Sequence, residues 1–248
     1  MSIVWDLINK SQFNYEKRYK IIALVTCPFY IMRKNLYENI KMYAPKLKGT
    51  ILDFGCGSKP YKHLFTNCTR YIGVDIENEG HSHELDQIEY YYDGKKLPFK
   101  NSCFDNVFSS EVIEHIDNLD DILDEINRVL KAGGLFLITT PFVWNENELP
   151  HDYARYTSCG LTKLLHKHGF KVISFTKSCN YIEILYQMKA EYFRHQFAKY
   201  NSKFVSRVIQ LTVIFFLMVK GIVLGKVMPD NRSLYGNNVV LCKKLRIQ

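Results

Sequence analysis

From Thr50 onward, short apolar runs alternate with polar stretches at strand and helix spacing. TILDF (50–54), RYIGVDI (70–76), QIEYYYD (87–93), FDNVFSS (104–110) and LFLITTPF (135–142) read as strands. Between the last two, DNLDDILDEINRVLKAGG places Ile122, Leu123, Ile126, Val129 and Leu130 at helical spacing, and Gly133 and Gly134 are predicted to stop that helix. A loop follows, then a helix GLTKLLHKHG (160–169), a strand FKVISFTK (170–177) and a last strand NNVVLCKKL (237–245). Strands alternating with helices predict a parallel sheet covered on both faces.

The flanks read differently. Residues 1–48 form an apolar-basic helical arm or lid: IIALVTCPFYIM is followed by RKNLYENIKMYAPKLKG, which Pro45 and Gly49 are expected to end. Between the last two predicted strands lies a helical insertion, 178–236. It carries YIEILYQMKAEYFRHQFAKY (181–200) and then VIQLTVIFFLMVKGIVLG (208–225), apolar but for Gln210, Thr212 and Lys220. Three arrangements fit 208–225: a helix pair packed on the domain or on a homodimer partner, an interfacial membrane helix flanked by lysines, or a span of borderline length. The expected divisions are thus 1–48, a core at 49–177, the insertion at 178–236 and a closing strand at 237–248.

Composition narrows the class. With 47% hydrophobic residues in 248, the chain is no disordered or fibrous protein. Seven cysteines, odd in number and without a CxxC pair, argue against a disulfide framework or a closed zinc site and for a reducing compartment. The opening MSIVWDLINK does not read as a secretory signal, which places the protein in the cytoplasm. Its net charge of +8 is uneven: +6 over 1–48, −10 over 49–150 and +12 over 151–248. Basic flanks suit something anionic, such as a membrane's inner face, or simply keep apolar segments soluble.

The strongest chemical signal is LDFGCGSKPY (52–61), a strand ending in an acid and running into a glycine turn that is expected to open a helix. Gly55 and Gly57 let a ligand approach the backbone, and a helix start offers free N–H groups. RYIGVDI ends in Asp75, 22 residues after Asp53, where a carboxylate accepts both ribose hydroxyls. NAD would call for GxGxxG to seat its pyrophosphate, and the third glycine is absent here. A nucleoside with an amino-acid tail fits better.

These residues resemble the class I S-adenosylmethionine-dependent methyltransferases, specifically the type 11 methyltransferase domain family, over roughly 48–176 plus the closing strand. LDFGCG, GVDIE (73–77), YYDGKKLPFKNSCFDNVFSSEVIEHI (91–116) and LKAGGLFLITTP (130–141) match its motifs in order. The resemblance implies a Rossmann-like, doubly wound, mostly parallel seven-stranded α/β sheet and S-adenosyl-L-methionine as cofactor. It implies that Asp53, Gly55, Cys56 and Gly57 surround the methionine part, Asp75 holds the ribose, Ile76 flanks the adenine, Asp93 and Gly94 meet its amino group, and Ser110 and Glu111 line the fourth strand's end. Where many members have a third glycine, this chain has Lys59 followed by Pro60.

Methyl transfer from a sulfonium is an in-line displacement, so alignment and water exclusion matter most, and a base helps a hydroxyl acceptor. His151 opens HDYARYT (151–157) after the fifth strand, with Asp152 and Tyr156 close in sequence, and His115 follows the fourth strand. These four are the candidate catalytic residues. HDYARYT reads equally as a docking loop that holds the next helix, and His115 as part of a helix cap. The segment is similar to one in family members connected with surface polysaccharides, which implies a sugar hydroxyl as acceptor: a small-molecule or lipid-linked sugar. The remaining histidines, His63, His81, His83, His166, His168 and His195, are assigned to loops or solvated helix faces; no metal cluster is expected. The rivals are a membrane-dissolved quinone or lipid acceptor and a non-catalytic scaffold. Lys-rich flanks without an RNA-binding module argue against nucleic acid.

Overall fold

The computed structural model describes Leu24 and residues 27–76, 88–197 and 203–245, with side chains in its last helix described from Thr212. Seven strands form one sheet in the order β3-β2-β1-β4-β5-β7-β6. They are β1 (Gly49–Phe54), β2 (Cys68–Ile76), β3 (Tyr90–Tyr92), β4 (Phe104–Ser110), β5 (Leu130–Pro141), β6 (Phe170–Lys177) and β7 (Asn237–Lys244). Parallel ladders join β3, β2, β1, β4 and β5, with Asp53 of β1 opposite Gly73 on one side and Phe108 on the other. The register brings the carboxyl ends of β1 to β4 to one edge, beside the switch in strand order between β1 and β4, the place where open α/β sheets bind ligands. The chain divides into two compact units, 39–176 with 238–248 and 1–38 with 177–237.

In the first unit, β1 is apolar because it is covered on both faces: Ile51, Leu52 and Phe54 are fully buried. Helix α2 (Leu119–Val129) buries Ile122, Leu123, Ile126 and Val129 against Leu52, Val107 and Phe136, and Asp120 and Asp121 sit in its first turn, where the helix dipole favours acids. Helix α3 (Ser158–Lys167) starts at Thr157, whose hydroxyl accepts from Gly160 N at 3.1 Å, and buries Leu161 and Leu165 in the same core. Truncating Ile126 to alanine would cost about 2–5 kcal/mol.

Three local expectations fail for identifiable reasons. The glycine turn opens no α-helix: residues 55–67 hold only a 3-10 turn, Lys62–Leu64, and Tyr61 and Phe65 cover that face by packing on Phe108, with Phe65 also against Tyr71. Gly133 and Gly134 do not stop α2; β5 starts at Leu130, and Gly134 lies where a Cβ would come 2.5 Å from the Asp105 carbonyl oxygen. His168 is no solvated residue: it is buried, with Nδ1 2.6 Å from Asp124 Oδ1 and Nε2 2.7 Å from Asp120 Oδ1. His81, His83 and the ends of two motif stretches, Glu77 and Gln87, lie outside the described residues.

Helix α1 (Tyr30–Tyr43) gives way to a 3-10 turn at Ala44–Lys46, which contains Pro45. The second unit carries α4 (Tyr181–Phe197) and α5 (Lys203–Val227). They approach closely because α5 has glycine at the contact: a Cβ on Gly221 would meet Tyr186 Cβ at 2.6 Å, and Asn180 Nδ2 donates to Gly225 O at 2.7 Å. Among the described residues no helix is long and apolar enough to cross a membrane.

Candidate functional site

All ten predicted methyl-donor residues lie at the carboxyl edge of β1 to β4 in the first unit. The glycine turn is held by β2: Gly55 N and Cys56 N donate to Val74 O at 2.9 and 3.3 Å, and Gly57 N donates to Asp75 Oδ2 at 2.8 Å. Both glycines are left-handed (φ +69° and +42°). They are glycine for different reasons. A Cβ on Gly55 would strike Val112 Cγ2 at 2.3 Å, whereas one on Gly57 would point into open space. Gly57 therefore keeps backbone accessible, and Gly55 lets the turn pack.

Asp53 is buried, accepts a hydrogen bond from the Tyr71 hydroxyl at 2.6 Å, and has its carboxyl pushed up to about 7 by burial. Asp93 is exposed; Lys96 N and Lys95 N donate to its Oδ1 at 2.8 and 2.9 Å and hold its carboxyl below the usual range, while Oδ2 makes no hydrogen bond among the described residues. Ile76 faces Gly94, where a Cβ would sit 3.3 Å from Ile76 Cδ1. Lys59, at φ +53°, fills the place of the missing glycine. Its ammonium is buried and paired with Glu89, which also accepts from Gly73 N at 2.6 Å. Lys59, Tyr71 and Glu89 were not picked out as site residues from the sequence, although the lost glycine marked position 59 as unusual.

At the end of β4, Ser110 Oγ lies 2.9 Å from Thr139 Oγ1, which donates to Glu111 at 2.8 Å. Glu114, also missed, is buried against Thr140; burial and the neighbouring Glu111 charge hold its carboxyl well above the usual range. Tyr153 N donates to Glu114 O at 2.8 Å, which ties the HDYARYT loop to this edge. His115 and His151 are brought together: His115 Nδ1 is 2.7 Å from the His151 carbonyl, and His151 Nδ1 is 2.9 Å from the Tyr153 hydroxyl. A carbonyl only accepts, so His115 donates from Nδ1, and its Nε2 lies 3.9 Å from Glu148 Oε2 and 4.0 Å from Glu114 Oε1. Asp152 is a clamp, bound at both oxygens by Arg155 (2.5 and 2.6 Å) and by Asn147 N. Tyr156 packs against the core, and its carbonyl accepts from Asn238.

The sequence profile of a family described as methyltransferase domain matches residues 52–138, the stretch that builds this edge. The match covers less than half of the chain, and over it the chain is similar to a methyltransferase domain. That match supports S-adenosyl-L-methionine as the cofactor of this edge. The chain is similar to the O-methyltransferase rstn1 of Aspergillus nomiae, 31% identical over 150 residues, covering 51% of this chain and 66% of the relative. It is also similar to the sterol 24-C-methyltransferase ERG6B of Gibberella zeae, 35% identical over 100 residues, covering 35% of this chain and 26% of that one. The chain thus spans less than two thirds of either relative. The fold matches the phosphoethanolamine N-methyltransferase 2 of Haemonchus contortus in complex with S-adenosyl-L-methionine, with a TM-score of 0.54, 19% identity and coverage of 96% and 60%.

The methyltransferase edge fits its cofactor chemically. A sulfonium and an ammonium call for negative charge, which Asp53, Asp75, Asp93 and Glu111 place along one line of strand tips; the adenine calls for a flat apolar slot, which Ile76 and Gly94 border.

Proposed function

We propose that the protein transfers a methyl group from S-adenosyl-L-methionine to a hydroxyl of a sugar or glycan intermediate. Bound at the glycine turn, that cofactor supplies an electrophilic methyl on a positively charged sulfur. The chain's own part is alignment and proton removal. Asp75 takes the ribose, Asp93 Oδ2 the adenine amino group, and Asp53 with the Gly57 backbone the amino-acid end. The observation that carries an oxygen acceptor is the His115–His151–Tyr153 chain beside Glu114 and Glu148. An imidazole whose Nδ1 is held by the His151 carbonyl takes a hydroxyl proton at Nε2 as the carbon–oxygen bond forms, and the exposed Glu148 carboxylate stabilises the imidazolium. Asp152 positions this loop through Arg155.

Calorimetry with S-adenosylhomocysteine tests the cofactor assignment: Asp75→Ala should weaken binding at least tenfold, and unchanged affinity overturns it. Acceptor class is read by mass spectrometry after incubation with nucleotide sugars. A second reading, a quinone or lipid acceptor, draws on the sterol methyltransferase relatives and the apolar 178–236 insertion. Methylation only of vesicle-dissolved acceptors would decide for it.

A further inference from the structure

The helix pair of the 177–237 unit carries an outer face with an unusual composition. On α5, Phe216, Val223 and Val227 are 68%, 52% and 75% exposed and fall at i, i+7 and i+11, with Lys220 in the same stripe. On α4, Leu185 and Tyr192 are 40% and 60% exposed at i and i+7. The two stripes adjoin, because Lys189 of α4 and Lys220 of α5 both place their ammonium over the ring of Tyr186, at 5.4 and 5.9 Å. Large apolar side chains and lysines therefore share one surface.

The acids of this stretch are turned to other uses. Glu183 accepts from Asn180 N at the start of α4, and Glu191 is buried and bound by Arg194, with His195 Nε2 at 3.0 Å. Lys226 extends the basic charge along α5. A second copy of the chain would set lysines against lysines. A polyanion such as RNA would leave Leu185, Phe216, Val223 and Val227 without a use. A bilayer surface answers both halves of the pattern: phosphate-level negative charge for the lysines, and an acyl boundary for the aromatic and aliphatic side chains.

We propose that the outer face of α4 and α5 docks on an anionic lipid bilayer, lying in its interface. The proposal stands apart from the methyl-transfer reading, since it uses no residue of the cofactor edge. If both hold, the acceptor is met at a membrane surface.

The full chain is co-sedimented with vesicles of phosphatidylcholine alone and of phosphatidylcholine with phosphatidylglycerol. Binding should appear with the anionic vesicles and weaken as salt is raised. Lys189→Gln with Lys220→Gln should weaken it about 25-fold, about fivefold per lysine. Phe216→Ser with Val223→Ser should weaken it about tenfold or more. All four residues are exposed, so each variant should keep the wild-type melting transition and S-adenosylhomocysteine affinity, which shows that a loss of vesicle binding is not a loss of fold. Equal recovery on neutral and anionic vesicles, or variants that bind like wild type, overturns the proposal. So does a dimer in light scattering that these variants dissolve while no vesicle binding is seen. Loss of S-adenosylhomocysteine binding by the wild-type protein would count against the methyl-transfer reading alone.

Discussion

Asp53→Asn should make the cofactor-free protein more stable at pH 8 while weakening its ligand. Asp53 is buried, and burial raises its carboxyl from 3.8 to about 7. The folded state thus holds a proton that the unfolded chain releases near pH 4, and stability falls as pH climbs from about 4 to about 7, remaining low above that. About three units at 1.36 kcal/mol each set a ceiling near 4 kcal/mol, and about 2–4 kcal/mol is expected after relaxation of the site. Asparagine keeps an oxygen for the Tyr71 hydroxyl, so the variant loses the charge and little of the hydrogen bond.

Urea unfolding at pH 5 and pH 8, followed by Trp144 fluorescence in a Trp5→Phe background, reads the 39–176 unit. The gain should appear in full at pH 8 and shrink by more than half at pH 5. S-adenosylhomocysteine carries an ammonium that favours the ionised Asp53, so wild-type affinity should rise up to tenfold per pH unit below about 7, whereas the variant stays flat. Identical pH slopes in the two proteins, or a variant less stable at pH 8, would refute the reasoning.

The two turn glycines should separate cleanly. Gly55→Ala, forced against Val112 at a left-handed φ, should cost about 2–4 kcal/mol in urea unfolding; Gly57→Ala, with open space for its methyl, should cost about 1 kcal/mol yet lower S-adenosylhomocysteine affinity at least tenfold by calorimetry. Lys59→Met leaves Glu89 half-exposed and able to rehydrate, so it should cost about 1–3 kcal/mol, and the double variant with Glu89→Gln should recover part of that in a double-mutant cycle. His115→Ala should lower kcat at least a hundredfold with KM for the cofactor unchanged, and the loss should shrink as pH is raised and the acceptor hydroxyl ionises more readily.

What could be read from the chain and what could not divide along sequence distance. The strands at 50–54, 104–110 and 170–177 were legible because an apolar run between polar breaks has few other homes, and Asp53, Asp75 and Asp93 were legible because strand tips put them at one edge. Lys59 was not. Its partner Glu89 is 30 residues away, and a lysine beside Pro60 looks solvated until β2 brings Gly73 under its side chain. His168 was misplaced for the same reason, since its partners Asp124 and Asp120, both on α2, lie 44 and 48 residues away. The missing helix after the glycine turn is the more instructive case. Pro60 has no N–H to give, and Tyr61 and Phe65 can cover Phe108 from a short loop. A family motif predicts which backbone atoms face the ligand; it does not by itself predict that a helix must follow, because the turn is held from β2 through Val74 and Asp75.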